Sequence, residues 1–150
     1  MTDQPLSVLV LCTGNSARSQ MAEAILRHLT GGRATVASAG TEPQPEIHPM
    51  ARIAVDRLFG LDMAGQHPKK VDTLLGRHFD YVITVCDHAA ESCPVFPGDT
   101  ERIHWSFEDP AAVTGDDERR QRAFEDTARQ ILARLQSWLA LPAVQARLTT

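Results

Sequence analysis

The sequence predicts an α/β protein, namely a single three-layer domain with a four-stranded parallel sheet and helices on both faces. Apolar stretches of strand length alternate with stretches in which apolar residues recur every three or four positions. Two of the strand-like stretches, 7–11 and 81–85, are almost continuously apolar, which is typical of parallel strands buried on both faces. A length of 150 residues also suits one domain with one core.

The N-terminal half holds two predicted strands and two predicted helices. The first strand covers 7–11 and leads into a helix over 17–29, whose apolar residues recur at intervals of four. A glycine pair ends that helix, because glycine readily takes the left-handed conformation of a C-cap. A second strand follows over 34–39, and the second helix begins at Pro49 and ends at Gly60.

The C-terminal half begins with a brief helix and two strands: 71–75, 81–85 and 102–105. The final helix begins at the acidic run 116–118, where negative charge is favourable to the helix dipole. Its apolar stripe, which includes Trp138, is assigned to the core. Pro142 ends this helix, and 143–150 is expected to be a loose tail.

The composition argues against several classes of function. A formal net charge of -4 does not suit a nucleic-acid-binding face, and no apolar run approaches the ~20 residues that span a bilayer. The N-terminus lacks the basic and apolar regions of a signal peptide. We therefore expect a cytoplasmic protein without a nucleic-acid or membrane partner. Its three cysteines then serve catalysis, redox chemistry or metal binding, not a structural disulfide framework.

The stretch Cys-Thr-Gly-Asn-Ser-Ala-Arg-Ser at 12–19 has the context of an anion site. It joins a strand to a helix start, where N–H groups lack internal partners and carry partial positive charge. Such surroundings lower the pKa of a cysteine, so Cys12 is expected to be a thiolate nucleophile. Arg18 fits two oxygens of a tetrahedral oxyanion, and Ser19 can donate a hydrogen bond to the sulfur. The expected oxyanion-binding residues are those of the loop: Thr13, Gly14, Asn15, Ser16, Ala17 and Arg18.

A packing cysteine and a surface arginine would give the same spacing of Cys12 and Arg18. Gly14 and Asn15 between them, with a strand before and a helix after, favour the anion site.

Cys86 and Cys93 follow the strand 81–85. Structural zinc usually takes closer pairs of ligands, and no second pair follows, so no metal site is predicted. A dithiol that forms a disulfide is favoured, with two packing cysteines as the alternative. If the segment were helical, its end Cα atoms would be roughly 10 Å apart. A disulfide requires about 4.4–6.8 Å, so its formation would have to unwind or bend the segment.

Asp109 is the candidate general acid. An aspartate in a loop at the sheet edge can protonate a leaving oxygen, although an Asp-Pro pair also commonly starts a turn. Because the carboxyl ends of parallel strands meet at one edge, Cys12, Cys86 and the segment of Asp109 are expected to lie together.

Together these residues resemble the low-molecular-weight tyrosine phosphatase superfamily, and within it the thioredoxin-coupled arsenate reductases. The resemblance covers nearly the whole chain. Its motifs are the stretch 12–23, Ser38-Ala39-Gly40, Cys86-Asp87 with Cys93-Pro94, His104-Trp105 and Asp109-Pro110. The two distal cysteines distinguish the reductases from the phosphatases, which also tend to place aromatic residues after the Asp-Pro pair.

The resemblance implies reduction of arsenate to arsenite in arsenic detoxification. Cys12 would attack arsenate held by the loop and Arg18, while Asp109 protonates the departing hydroxyl. Cys86 would then attack Cys12 and release arsenite, and Cys93 would attack Cys86 to move the disulfide outward. Reduced thioredoxin would reset the enzyme without a bound cofactor, although glutaredoxin or a small thiol stays open as the reductant.

Some members of the superfamily bind potassium beside the loop. Asn15, Glu23 and Ser38 match three of the ligands, and the fourth place falls at Lys70. We therefore expect the Lys70 ammonium to replace the metal, pair with Glu23 and fix the loop.

Two other functions stay open. A low-molecular-weight protein tyrosine phosphatase that hydrolyses phosphate monoesters would use the same loop, but it has no need of Cys86 and Cys93. A redox sensor or binding module would leave Arg18 and Asp109 without a role. A monomer is expected in each case.

Overall fold

Four parallel strands form the sheet in the computed structural model, which describes residues 5–148. They are β1 (Leu6–Cys12), β2 (Ala34–Gly40), β3 (Tyr81–Thr84) and β4 (Glu101–His104). Their order is β2-β1-β3-β4, and every neighbouring pair is parallel. Each end of a predicted strand lies within one residue of the observed end, and the predicted fold class is confirmed.

Helices connect the strands and cover the sheet. Within the described range they are α1 (Arg18–Thr30), α2 (Pro49–Phe59), α3 (Asp87–Glu91), α4 (Asp117–Leu139) and α5 (Pro142–Leu148), with 3₁₀ turns at Val71–Leu74 and Pro110–Ala112. Gly31 and Gly60 end α1 and α2 with φ angles of 55° and 65°, as predicted. Residues 8–12 of β1 are all buried. Because successive strand side chains point to opposite faces, both faces of the sheet are covered.

The apolar stripe of α4 lies in the core. Phe124, Ile131 and Leu135 are almost fully buried. Trp138 packs edge-on against Tyr81 and Trp105, with ring centroids 5.1 and 6.3 Å apart. The prediction that Trp138 is a core residue is therefore confirmed.

The expected loose tail is wrong for residues 143–148. Helix α4 ends at Leu139, and Pro142 is the first residue of a further helix, α5. Val144 and Leu148 are buried, so two apolar side chains one helical turn apart anchor this segment to the domain. The remainder of the predicted tail, 149–150, lies outside the described residues.

All four strands end at the same edge of the sheet. Cys12 is in register with Gly40, and Thr84 is in register with His104. The segments that follow these residues therefore converge, as predicted, at the carboxyl edge. Across the described residues, we find no helix both long and apolar enough to pass through a bilayer.

Candidate active site

Asn15 shapes the loop 13–17 between β1 and α1. Its φ of 49° is uncommon for a residue other than glycine, although asparagine tolerates it better than most. The buried side chain compensates for this conformation with hydrogen bonds. Nδ2 donates to Ser19 Oγ at 2.8 Å and to Ser38 Oγ at 3.0 Å, and Oδ1 accepts from the Lys69 N–H at 3.0 Å. These bonds fix the loop to α1, β2 and the segment before the first 3₁₀ turn.

The carbonyl groups of the loop are all tied to neighbouring groups. The carbonyls of residues 12–17 accept, in order, from the following donors: the N–H groups of Thr41, Glu42 and Gln44, the Gln20 side chain, and the N–H groups of His48 and Met21. In a trans peptide the N–H points opposite to the C=O. The loop N–H groups therefore point away from these partners, which is the orientation that the predicted anion cradle requires.

Gly40 makes the close approach of β2 to the loop possible. A Cβ at this position would lie 2.4 Å from the Thr13 carbonyl oxygen and 3.0 Å from the Asn15 Cβ. No side chain fits there without moving the loop backbone.

Cys12 lies at the bottom of the loop and is buried. Its Sγ is 3.1 Å from Ser19 Oγ and accepts from the Asn15 N–H at 3.3 Å. Because Asn15 Nδ2 already donates to Ser19 Oγ, the serine hydroxyl hydrogen is free to point at the sulfur. This is the contact predicted for Ser19.

Arg18 and Asp109 face the same cleft. The Arg18 guanidinium donates to the Phe107 carbonyl at 3.0 Å, and it lies 3.9 Å from Asp109 Oδ2. Asp109 also accepts from the Ala111 N–H at 3.0 Å and so caps the second 3₁₀ turn. The structure thus shows the capping role, and the role of general acid stays a prediction. The cleft has a volume of about 590 Å³ and is lined by loop residues, the 42–49 segment, Asp109 and Ala111.

Cys86 reaches the loop from the neighbouring strand. It is the N-cap residue of α3, and its buried Sγ lies 3.2 Å from Thr13 Oγ1. Cys93 follows α3, is half-buried, and contacts the Pro94 carbonyl at 3.6 Å. Burial raises the pKa of the Cys93 thiol, although the positive charge of Arg102 acts in the opposite direction. The helix thus occupies the interval between the two cysteines.

The predicted role of Lys70 is wrong. Lys70 is exposed, and its Nζ lies 3.9 Å from Asp72, not beside Glu23. The buried Glu23 carboxylate pairs with Arg27 at 2.8 Å and accepts from Ser38 Oγ at 2.7 Å. The i,i+4 spacing of Glu23 and Arg27 on α1 was visible in the sequence, and it places the guanidinium over the carboxylate.

His48 also lines the cleft, although no role was predicted for it from the sequence. It caps α2 by accepting from the Met50 N–H at Nδ1, and its own N–H holds the Ser16 carbonyl. Its ring packs on Phe124 at 4.5 Å and lines the cleft. Burial and the nearby Arg120 lower the pKa of His48. A histidine directly before a helix-starting proline was the signal for the capping role.

Comparison with known proteins agrees with this geometry. The family model described as low molecular weight phosphotyrosine protein phosphatase matches residues 7–148. The chain belongs to this family.

Relatives within the family carry a more specific name. The arsenate reductase of Halalkalibacterium halodurans is 38% identical over 131 residues, which are 87% of this chain and 93% of the relative. The solved structure of an arsenate reductase in the phosphate binding state has a TM-score of 0.70 at 27% identity, covering 90% of this chain and 97% of the other. The solved structure of the Corynebacterium glutamicum thioredoxin-dependent arsenate reductase has a TM-score of 0.65 at 31% identity, and the match covers 91% of this chain and 63% of the other. The predicted resemblance is therefore confirmed.

Proposed function

We propose that this chain reduces arsenate to arsenite by a relay of three cysteines, Cys12, Cys86 and Cys93. One observation carries the proposal: a second buried thiol, Cys86, lies 3.2 Å from a side chain of the anion-binding loop. A phosphatase has no need of a thiol there, whereas a reductase needs one within reach of the nucleophile.

The first step joins arsenic to sulfur. The loop N–H groups and Arg18 hold the oxyanion, and Cys12 Sγ attacks arsenic. One oxygen leaves as water after taking a proton from Asp109, which lies at the mouth of the same cleft. The product is a Cys12 thioester of arsenate, in which arsenic still has its original oxidation state.

The second step transfers the electrons. Cys86 attacks Cys12 Sγ, a Cys12–Cys86 disulfide forms, and the sulfur–arsenic bond breaks with its electron pair on arsenic, which leaves as arsenite. Cys93 then attacks Cys86, forms the Cys86–Cys93 disulfide and returns Cys12 to its starting state. Because α3 lies between Cys86 and Cys93, this last bond requires the helix to unwind.

A reductant must then open the Cys86–Cys93 disulfide. Thioredoxin is the proposed partner, and the likeness to a thioredoxin-dependent arsenate reductase supports it. Cys93 is the more accessible of these two cysteines, since Cys86 is buried and Cys93 is half-buried.

Arsenite release with thioredoxin, thioredoxin reductase and NADPH tests the relay. The Cys12→Ser variant should lose all activity. The Cys93→Ser variant should release about one arsenite per chain and accumulate a Cys12–Cys86 disulfide, visible by mass spectrometry without reduction. Ser92→Ala, next to Cys93, is the matched control and should turn over normally. Multiple turnovers by Cys93→Ser with thioredoxin as sole reductant would contradict the relay.

Phosphate monoester hydrolysis is the second candidate. The cleft is far larger than a tetrahedral oxyanion, and it combines the nucleophile, Arg18 and Asp109. An aryl phosphate assay on the Cys86→Ser/Cys93→Ser double variant separates the two functions. Retained hydrolysis at an enzymatic rate, with no arsenate reduction by the unmodified chain, would favour the phosphatase.

A further inference from the structure

A chain of hydrogen bonds ties the start of α3 to the end of the sheet. Thr84 Oγ1 lies 2.8 Å from His104 Nδ1, and His104 Nε2 lies 2.9 Å from Asp87 Oδ1. Thr84 and His104 are the paired last residues of β3 and β4, and Thr84 is buried. Asp87 is the first residue of α3 and directly follows Cys86. The imidazole thus joins a rigid part of the sheet to a five-residue helix.

Both hydrogen bonds of the His104 ring can form whether the imidazole is neutral or charged. In the neutral imidazole, Nε2–H donates to the Asp87 carboxylate while Nδ1 accepts from the Thr84 hydroxyl. In the imidazolium, both nitrogens donate, and the Thr84 hydroxyl can turn to the Ile103 carbonyl, 3.4 Å away. Hydrogen bonds from His104 and Ser106 lower the pKa of Asp87, so a carboxylate is available as the acceptor.

We propose that His104 is a positioning residue for the disulfide relay. Its side chain holds Asp87 and thereby stabilises α3 in the form in which Cys86 and Cys93 are thiols. This inference rests on the proposed function in one respect, namely that Cys86 and Cys93 form a disulfide. The His104–Asp87 contact is called the His104 clamp below. The clamp sets how readily α3 unwinds, and hence how readily the oxidation moves outward from Cys86 to Cys93.

The consequence for the redox equilibrium has a definite sign. The helix separates the two cysteines, so the disulfide form lacks the intact helix and its clamp. Breaking the clamp therefore destabilises the dithiol form alone, and the Cys86–Cys93 reduction potential becomes more negative. The His104 side chain is 40% exposed, and pairs of this kind contribute little, so a two- to fivefold change in the equilibrium constant is expected. That corresponds to about 9 to 21 mV, since tenfold is about 30 mV for a two-electron couple.

Hydrogen exchange on the reduced protein tests the clamp without arsenate. The His104→Ala and Asp87→Ala variants should exchange the Ala90 and Ser92 amides about two- to fivefold faster, because both amides bond within α3. The Phe124 amide in α4 should not change, since the fold itself is intact. Glu91→Gln is the matched control, because Glu91 is exposed on α3 and makes no ion pair within the described part of the chain.

The potential is measured in the Cys12→Ser background, which leaves Cys86 and Cys93 as the only thiols. In glutathione buffers the two thiols lose two electrons and two protons to oxidised glutathione, which becomes two glutathione thiols. His104→Ala and Asp87→Ala should each make the reduction potential more negative. The double variant should have a potential no more negative than that of the single variants, because both substitutions break the same contact. His104→Gln, which keeps a donor for Asp87, should restore part of the shift.

The outcomes separate the clamp from the relay. Unchanged α3 exchange in both single variants, or additive shifts of the potential in the double variant, would overturn the clamp. Failure of Cys86 and Cys93 to form a disulfide would overturn both the relay and the proposed role of His104 in it. Faster α3 exchange with a more negative potential and a non-additive double variant would establish the clamp, whatever the arsenate assay shows.

Discussion

The reactivity of each cysteine depends on the few atoms around it. Cys12 contacts a backbone N–H and the Ser19 hydroxyl, and Cys86 contacts the Thr13 hydroxyl. Cys93 contacts the Pro94 carbonyl and packs against the apolar core, with the positive charge of Arg102 nearby. At the residue scale, burial raises the pKa of the Cys93 thiol and so favours the neutral form of the last thiol in the proposed relay.

The raised pKa of Cys93 predicts a pH dependence. Burial favours the neutral thiol, so thiolate formation requires a higher pH in the folded chain than in the unfolded one. In the Cys12→Ser/Cys86→Ser background, the midpoint of iodoacetamide reactivity against pH should fall when the chain is unfolded in urea. The same midpoint, or a higher one, in urea would contradict the assigned environment. By linkage, the stability gained from the neutral thiol is lost as pH rises through the folded-state pKa.

Arg27, not Lys70, is expected to support the loop. Arg27→Gln leaves the buried Glu23 carboxylate without its cation and should lower the free energy of unfolding by about 1–3 kcal/mol, with a higher KM for arsenate. Lys70→Gln, the matched control, should change stability by less than about 0.5 kcal/mol because Lys70 is exposed. Equal losses in the two variants in urea titrations would sink this assignment.

We further expect no saturable potassium activation, because a guanidinium already neutralises Glu23. Arsenite release is measured against potassium concentration at fixed ionic strength. A hyperbolic rise with potassium in the unmodified chain would argue against Arg27 as the replacement cation.

At the element scale, the position of β2 decides the shape of the loop. The end of this strand lies against the loop backbone, and the following segment donates to the carbonyls of Cys12, Thr13 and Gly14. The elements around the loop therefore orient its N–H groups before any anion binds, which is the preorganisation that electrostatic catalysis needs.

Gly40→Ala tests that arrangement. Its methyl group would meet the Thr13 carbonyl oxygen at 2.4 Å, so the loop backbone must move. A displacement of about 1 Å at a reacting centre can cost about 100-fold in rate, and we expect a loss of that order in arsenite release. Gly76→Ala is the matched control, since a Cβ there meets open space and no positive φ is involved. Similar activities of both variants would show that β2 does not constrain the loop.

At the scale of the whole molecule, the C-terminal helix completes the core. Leu148 and Val144 are buried, and Arg147 contacts Asp80 at 3.1 Å across 67 residues of sequence. Asp80 in turn accepts from the Ser7 N–H at 2.9 Å, which connects α5 to the start of β1.

Leu148→Ala should therefore lower the free energy of unfolding by about 2–4 kcal/mol. Leu141→Ala, half-exposed at the junction before α5, is the matched control and should change it by less than about 0.5 kcal/mol. Thermal and urea unfolding measure both. A negligible effect of Leu148→Ala would mean that α5 contributes little to the core in solution.

The sequence by itself determined the sheet, the position of the loop and the residues proposed to carry the chemistry. Near-continuous apolar strands, a glycine-capped helix and the Cys-x5-Arg spacing are local signals, and local backbone preferences and hydrophobic periodicity encode them. The meeting of Cys12 and Cys86 at one edge followed from the rule for parallel strands. Asp109 was predicted to be a general acid, and the cap that the structure shows was weighed as the alternative.

Only the tertiary structure decided which groups support the site. Lys70 was the predicted partner of Glu23, but in the structure Lys70 is exposed and Arg27 pairs with the carboxylate. The i,i+4 spacing permits this pair, whereas the burial of Glu23 against Ser38 of β2 depends on packing. The helix α5 and the His104 clamp were likewise invisible, since each depends on contacts between residues distant in the chain. Burial and long-range pairing are properties of the packed molecule, and no local pattern specifies them.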